Sequence, residues 1–267
     1  MIRLFKSSLR SFVGLTVRWA LQPFNKEIIG KDRYGYDWML DVARLQTKWS
    51  CDLKVIFDVG ANTGATTRRL RKHFPSTPII AFEPHPGTFK RLRETTLGLE
   101  RLDLVEAALT STVGRRHLHD YGAQNSEINS LLPTSAPANR FGARPTQVID
   151  VDCNTIDCFC AQRDIKEISL LKIDAEGADI DVLWGARDML EKRSIKLIYF
   201  EYNKVSCKDK EGASLAQIDS LLQPYGYCFI SSYTDYVVVD VDDEPFVVAN
   251  ALYALPPIRQ TVTVAEV

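Results

Sequence analysis

The stretch that most constrains this chain runs from Val55 to Gly64, where an apolar, β-branched run carrying one acidic residue, Val55-Ile56-Phe57-Asp58-Val59, gives way at once to Gly60-Ala61-Asn62-Thr63-Gly64. A buried strand is the natural reading of the first half. Thr66 to Phe74 then reads as a basic helix that stops before Pro75, because the residue ahead of a proline is pushed out of the helical region. Strand, glycine turn and helix in that order let a backbone bend sharply and bring a helix amino terminus against a ligand. The loop is not GxGxxG, since Asn62 stands where the central glycine would be, and that argues against a dinucleotide pyrophosphate site. By itself the loop would suit several nucleotides.

The same alternation continues downstream. Pro78 to Phe82 reads as a second strand, Gly87 to Leu97 as a helix and Leu102 to Ala108 as a third strand. Ile168 to Ile173 is a near-continuous apolar run suited to a central strand, Ile180 to Glu191 carries helical spacing, and Ile195 to Phe200 is a further buried strand. Tyr227 to Ser231 and Tyr236 to Val241 read as an antiparallel pair turning through Ser232 to Asp235. Thr110 to Arg144, rich in Gly, Asn, Ser and Pro with one strand near Arg115 to His119, reads as loops over the ligand end of the sheet. The expectation is an α/β fold, a mostly parallel sheet with helices on both faces and an antiparallel carboxy-terminal hairpin. Residues 51–255 would form this domain and residues 1–50 a helical extension.

Composition narrows the partners. Of 267 residues, 33 are Lys or Arg and 34 are Asp or Glu, a formal charge of -1 that supplies no field drawing the chain to nucleic acid. The 6 cysteines show no CxxC pair, so no metal site is expected and a reducing, cytoplasmic setting fits them. The first 25 residues lack acidic groups, and Arg3, Lys6, Arg10 and Arg18 fall on one helical face opposite Ile2, Phe5, Leu9, Phe12, Val13 and Leu21. The uncharged run Ser11 to Val17 is far too short to span a bilayer. Three readings stay open for residues 1–25: a helix lying on a membrane surface, an organelle transit peptide, or a helix packed on the main domain.

Chemistry gathers at the strand ends. Glu83 closes the second strand, where a carboxylate can accept hydrogen bonds from both ribose hydroxyls of an adenosine; otherwise it is a solvent-facing group or a cap. Asp58 reads equally as a buried turn residue that holds the loop. Asp174 and Glu176 are two apart after the fourth strand, so they share a side if that strand continues, and either could take a proton from an acceptor hydroxyl. The plainer alternative has Asp174 holding the loop or the cofactor and Glu176 capping the next helix. Lys172, embedded in an apolar strand, needs a carboxylate partner, for which Glu201 is the candidate. His85 is a candidate base against the alternative of a solvated loop histidine, and His117 with His119 read as surface residues. Asn129 and Ser130 fit either contacts from the covering loop or ordinary turn chemistry.

Taken in order, Val55 to Gly64, Phe82-Glu83-Pro84, Asn129-Ser130-Leu131, Leu171-Lys172-Ile173-Asp174-Ala175-Glu176-Gly177-Ala178, Val182-Leu183-Trp184-Gly185-Ala186 and Phe200-Glu201 resemble the FkbM family of methyltransferases over about Lys54 to Tyr202. The resemblance implies a class I Rossmann-like methyltransferase that binds S-adenosylmethionine and acts on oxygen of a sugar, lipid or other natural product. It places Asp58, Gly60, Asn62 and Gly64 in the cofactor loop, Glu83 on the ribose, Ala107 or Ala108 beside adenine, and a small-molecule or saccharide acceptor in the crevice. Asp179 departs from the family pattern, which more often has glutamate after Glu-Gly-Ala. Two rivals remain at this stage: a nucleotide-dependent oxidoreductase, which Asn62 disfavours, and a non-catalytic, membrane-associated binding protein.

Overall fold

The computed structural model describes residues 34–122, 129–132, 144–204, 215–238 and 246–257. The basic segment 1–25, Cys207 and parts of the stretch from Thr110 to Arg144 lie outside the described residues. Within them, no helix is long and apolar enough to cross a membrane.

The first described helix, α1 (Trp38–Trp49), starts where the Asp37 side chain accepts a hydrogen bond from the Met39 N–H, and ends at Ser50 in the left-handed region. Met39 and Val42 are fully buried, and Trp38 stacks on Tyr199 with ring centroids 4.1 Å apart. This helix is therefore part of the packed core. Asp41, also buried, accepts from the Tyr233 hydroxyl at 2.7 Å and the Gly35 N–H at 2.7 Å, which satisfies a carboxylate that burial alone would make costly.

The main sheet is built from β1 (Ile56–Val59), β2 (Ile79–Phe82), β3 (Leu102–Val105), β7 (Ile168–Ile173), β8 (Ile195–Lys204), β9 (Cys228–Val238) and β10 (Phe246–Ala254), in the order β3-β2-β1-β7-β8-β10-β9. Neighbours are parallel from β3 through β8, and β10 runs antiparallel to both its neighbours. Side chains alternate between two apolar clusters. Ile56, Ile79, Leu170 and Leu197 pack on one face with α1 and Leu70 of α2 (Ala65–His73). Phe57, Phe82, Leu171, Ile173 and Phe200 pack on the other, against α4 (Ile156–Gln162), α5 (Asp179–Trp184), α6 (Arg187–Glu191) and α7 (Leu215–Leu222). Leu92 of α3 (Pro86–Thr95) packs with Ala61 and Ala81 beside the glycine loop. The strand order reverses between β1 and β7, the place where open α/β sheets bind ligands beyond their carboxyl ends.

Beside that edge stands a second sheet of β4 (Ala108–Leu109), β5 (Gly114–Asp120) and β6 (Gln147–Asn154), ordered β4-β6-β5. Several elements depart from the expectation. The third strand breaks after Val105, so that Ala108 and Leu109 join the second sheet instead. The single helix expected from Ile180 to Glu191 is two, α5 and α6, because Gly185 lies against the Thr110 backbone: a Cβ there would sit 2.0 Å from the Thr110 carbonyl oxygen. In the hairpin, Ser232 to Asp235 do not turn. They continue β9, which among the described residues is the edge strand paired with β10.

Candidate cofactor and catalytic site

The loop after β1 is shaped by what it must clear. Gly60 (φ 70°) and Gly64 (φ 86°) adopt left-handed backbone, and a Cβ on Gly60 would lie 1.8 Å from the carbonyl oxygen of Asp174 at the end of β7. Asn62 is also left-handed (φ 48°), a conformation asparagine tolerates better than most residues. The N–H groups of Gly60 and Ala61 donate to the Phe82 carbonyl at 3.0 and 2.9 Å, tying the loop to β2.

Glu83 is held between two backbone donors. Its Oε2 accepts from Asn62 N–H at 3.0 Å and its Oε1 from His85 N–H at 3.0 Å. Burial pushes its carboxyl above the ordinary value, against the pull of those two bonds. Each oxygen keeps a further lone pair, and Glu83 lines a pocket open to solvent. Phe82, Ala107, Ala108, Leu109, Leu118 and Leu131 give the pocket an apolar wall, while Gly60, Asn62, Asn129, Asp174 and Glu176 edge it elsewhere. An apolar wall, an accepting carboxylate and an acidic edge suit a ligand with a flat ring, a vicinal diol and a cationic end, and an adenosyl sulfonium has all three.

Not every residue expected at the cofactor reaches the pocket. Asp58 is fully buried: Thr67 Oγ1 donates to its Oδ2 at 2.6 Å, and its Oδ1 lies 3.0 Å from Lys172 Nζ, a contact that is ionic rather than a well-aimed hydrogen bond. It fastens the loop from behind. Gly64 lies under α3, where a Cβ would meet Leu92 at 2.8 Å. Ser130 is buried and donates to the Glu176 carbonyl at 2.8 Å, stapling the covering segment to the turn after β7, whereas Asn129 lines the pocket and accepts from Tyr121 N–H at 2.9 Å.

His85, a candidate base, is instead a strut. Its Nδ1 accepts from Thr88 N–H at 3.0 Å, capping α3, and its Nε2 lies 3.2 Å from Asp120 Oδ2 on β5. Both ring nitrogens are used and the ring does not line the pocket. It links the β2–α3 turn to the second sheet. Asp120 is itself fixed: burial raises its carboxyl, but bonds from Gln147, Gly122 and His85 outweigh that and hold it below its usual value.

The carboxylates come together by a route the spacing did not show. β7 ends at Ile173, and Glu176 (φ 49°) and Gly177 (φ 94°) turn the chain through left-handed backbone, so Asp174 and Glu176 do not share a strand face. They converge because Glu201 of β8 meets them: carboxylate oxygens of Asp174, Glu176 and Glu201 lie within 4.8 Å of one another. Glu201 is pushed up to about 10, by burial first and then by Asp174, Glu176 and Asp179. Glu176 does not cap the next helix. No side chain caps it; Asp179, its first residue, instead braces the turn ahead of it, its two carboxylate oxygens accepting from Ala175 N–H at 3.3 Å and Gly177 N–H at 3.2 Å, while burial and Asp174 push its carboxyl up to about 7.

Lys172 also differs from expectation. The parallel register sets Lys172 beside Asp58 on β1, not beside Glu201, and its ammonium contacts Asp58 Oδ1 at 3.0 Å and Asp174 Oδ2 at 3.4 Å. It donates as well to the carbonyls of Val59 at 3.1 Å and Gly60 at 2.9 Å. The surface reading of His117 fits its exposed side chain and its contact with Asp150 at 2.7 Å, while His119 is half-buried.

The family described as "Methyltransferase FkbM domain" matches residues 58–229, more than half of the chain. The chain is similar to the 2-O-methyltransferase NoeI of Sinorhizobium fredii, 30% identical over 155 residues, covering 56% of this chain and 63% of that protein. It is also similar to Methyltransferase 1 of Beauveria bassiana, 27% identical over 152 residues, covering 51% of this chain and 60% of that protein. The matched stretch thus spans less than two thirds of either relative's length.

Proposed function

The chain belongs to the FkbM methyltransferase family, and on that premise we propose that it transfers a methyl group from S-adenosylmethionine to a hydroxyl oxygen of a small-molecule or saccharide acceptor. The observation that carries the reading is Glu83, aimed by two backbone N–H groups into an apolar pocket whose far edge is acidic. Oxygen as the acceptor atom is supported by the similarity to a protein named as a 2-O-methyltransferase.

The cofactor, when bound, supplies a methyl carbon made electrophilic by its positive sulfur. The chain's own residues supply position and a proton acceptor. Glu83 would accept from the two ribose hydroxyls, and Ala107, Ala108 and Leu109 would flank the ring. Leu118 and Leu131 would complete the apolar wall around it. Asp174, at the pocket's edge, would take the acceptor's hydroxyl proton as the oxygen's electron pair forms the new bond to carbon and the carbon–sulfur bond breaks onto sulfur. Alignment carries most of the acceleration, and a positioned base adds about 10²–10⁴-fold.

The test is calorimetry with S-adenosylmethionine and separately with NAD, followed by detection of S-adenosylhomocysteine with a panel of saccharide and polyol acceptors. Binding of the first cofactor that Glu83→Ala abolishes, with product formed, is the expected result. Binding of NAD alone would overturn the reading.

A further inference from the structure

Asp174, just past the end of β7, lies beside Glu201 within β8, and only a carboxylate that lacks a proton can accept one. Two carboxylates within 4.8 Å of each other in a partly buried site do not both ionise readily; a nearby cation decides which one does. Lys172 is 3% exposed, and its ammonium is surrounded by oxygens from two strand ends: Asp58, Asp174, and the carbonyls of Val59 and Gly60.

We propose that Lys172 is a positioning residue that keeps Asp174 ionised as the site's proton acceptor and leaves Glu201 to carry the proton the two carboxylates would otherwise contest. The use of Asp174 as a base rests on the methyl-transfer reading, whereas the charge arrangement does not.

The reasoning follows from where the charges sit. Lys172 contacts Asp174 but not Glu201, because the β1–β7 register sets it beside Asp58 at the β1 end. Burial alone would lower its ammonium, and Asp58 and Asp174 together raise it well above its ordinary value, so it stays charged. Burial first, and then the carboxylates of Asp174, Glu176 and Asp179, push Glu201 up to about 10. A protonated Glu201 can donate to Asp174, which leaves the other lone pairs of Asp174 turned to the pocket. The same ammonium also grips the Gly60 carbonyl, so the cofactor loop and the base are set by one group.

Side-chain carboxyl NMR on the full chain, labelled with ¹³C in Glu and Asp and titrated from acid to alkaline pH, reads this directly and needs no acceptor. Wild type should show a glutamate carboxyl that stays protonated beyond pH 8. It should vanish in Glu201→Gln and persist in Lys172→Arg. In Lys172→Met an aspartate carboxyl should hold a proton at neutral pH as well. Where that variant does not fold, Lys172→Gln, which keeps donors for the two carbonyls without the charge, carries the same comparison. The proposal is overturned if every glutamate carboxyl is ionised by pH 7, if the protonated one survives Glu201→Gln, or if the uncharged variants match Lys172→Arg. Failure of methyl transfer is read separately, as absence of S-adenosylhomocysteine with this NMR pattern intact.

Discussion

Replacing Gly60 by alanine separates two costs that the structure gives independently. At φ 70° an alanine occupies the left-handed region, at roughly 1–2 kcal/mol. Its Cβ would also stand 1.8 Å from the Asp174 carbonyl oxygen, a backbone atom that cannot rotate away, so the ends of β1 and β7 must part. Overpacking of this kind costs about 1–3 kcal/mol. The sum is about 2–5 kcal/mol, and for a domain of this size each kcal/mol lowers Tm by about 2–4 °C, giving a fall of roughly 4–20 °C. Gly98 is the control, for it has φ 83° and nothing within 4 Å of an added Cβ, so Gly98→Ala should show the backbone cost alone, roughly 2–8 °C. Thermal melts of both variants, with S-adenosylmethionine calorimetry on each, make the comparison. Gly60→Ala should also weaken the cofactor at least about tenfold, equivalent to 1.4 kcal/mol, while Gly98→Ala leaves affinity alone. Equal melting losses, or unchanged affinity in Gly60→Ala, would refute the close approach of the two strand ends.

Other perturbations bear on single groups. Glu83→Gln keeps the shape but gives up charge-assisted bonds worth about 1.5–3 kcal/mol each, so calorimetry should show cofactor binding weakened by about 10- to 100-fold or more. Asp174→Asn should bind cofactor nearly as well as wild type while turnover falls by about 10²–10⁴-fold, and a loss confined to binding would contradict its role as proton acceptor. Trp38→Ala, which removes the ring stacked on Tyr199, should cost about 3–5 kcal/mol in urea unfolding; a loss under about 1 kcal/mol would place α1 outside the cooperative core. Stability should also depend on pH in a stated direction. Asp179, raised from 3.8 to about 7, and Glu201, raised from 4.5 to about 10, hold protons in the folded state that the unfolded chain has already released. Their contribution is present in full below about pH 4 and is lost as pH rises through those folded values. Urea midpoints should show Asp179→Asn flattening the lower part of that decline and Glu201→Gln the upper part; a steeper decline in either variant would contradict the sign.

How much of this was legible in the sequence depended on whether a residue's role is local. The strand from Ile56 to Val59, its glycine loop and Glu83 could be read because period, turn chemistry and one carboxylate at a strand end all lie within a short span. Asp174 and Glu176 could be singled out for the same reason. Glu201's meeting with them, and Asp58 rather than Glu201 as the partner of Lys172, depend on the register of strands far apart in the chain, which spacing does not encode. β6 was missed because only Val151 and Cys153 turn inward while Asp150 and Asp152 alternate with them, a half-buried pattern easily taken for loop. The helix break at Gly185 was hidden because the backbone it accommodates belongs to Thr110, outside any local window. His85 misled in a different way: a histidine beside a site attracts a catalytic reading, and only its two partners show that both nitrogens are already spent.

The position of β10 bears on how such a chain comes into being. It is the latest of the described strands along the chain, yet it lies inside the sheet between β8 and β9. Until it is synthesised, β8 has an open edge and β9 has nothing to pair with, so a nascent chain on the ribosome carries two unsatisfied strand edges. Closure must await residues 246–254, and a chain cut short before them would expose an aggregation-prone edge while its entire cofactor loop was already made.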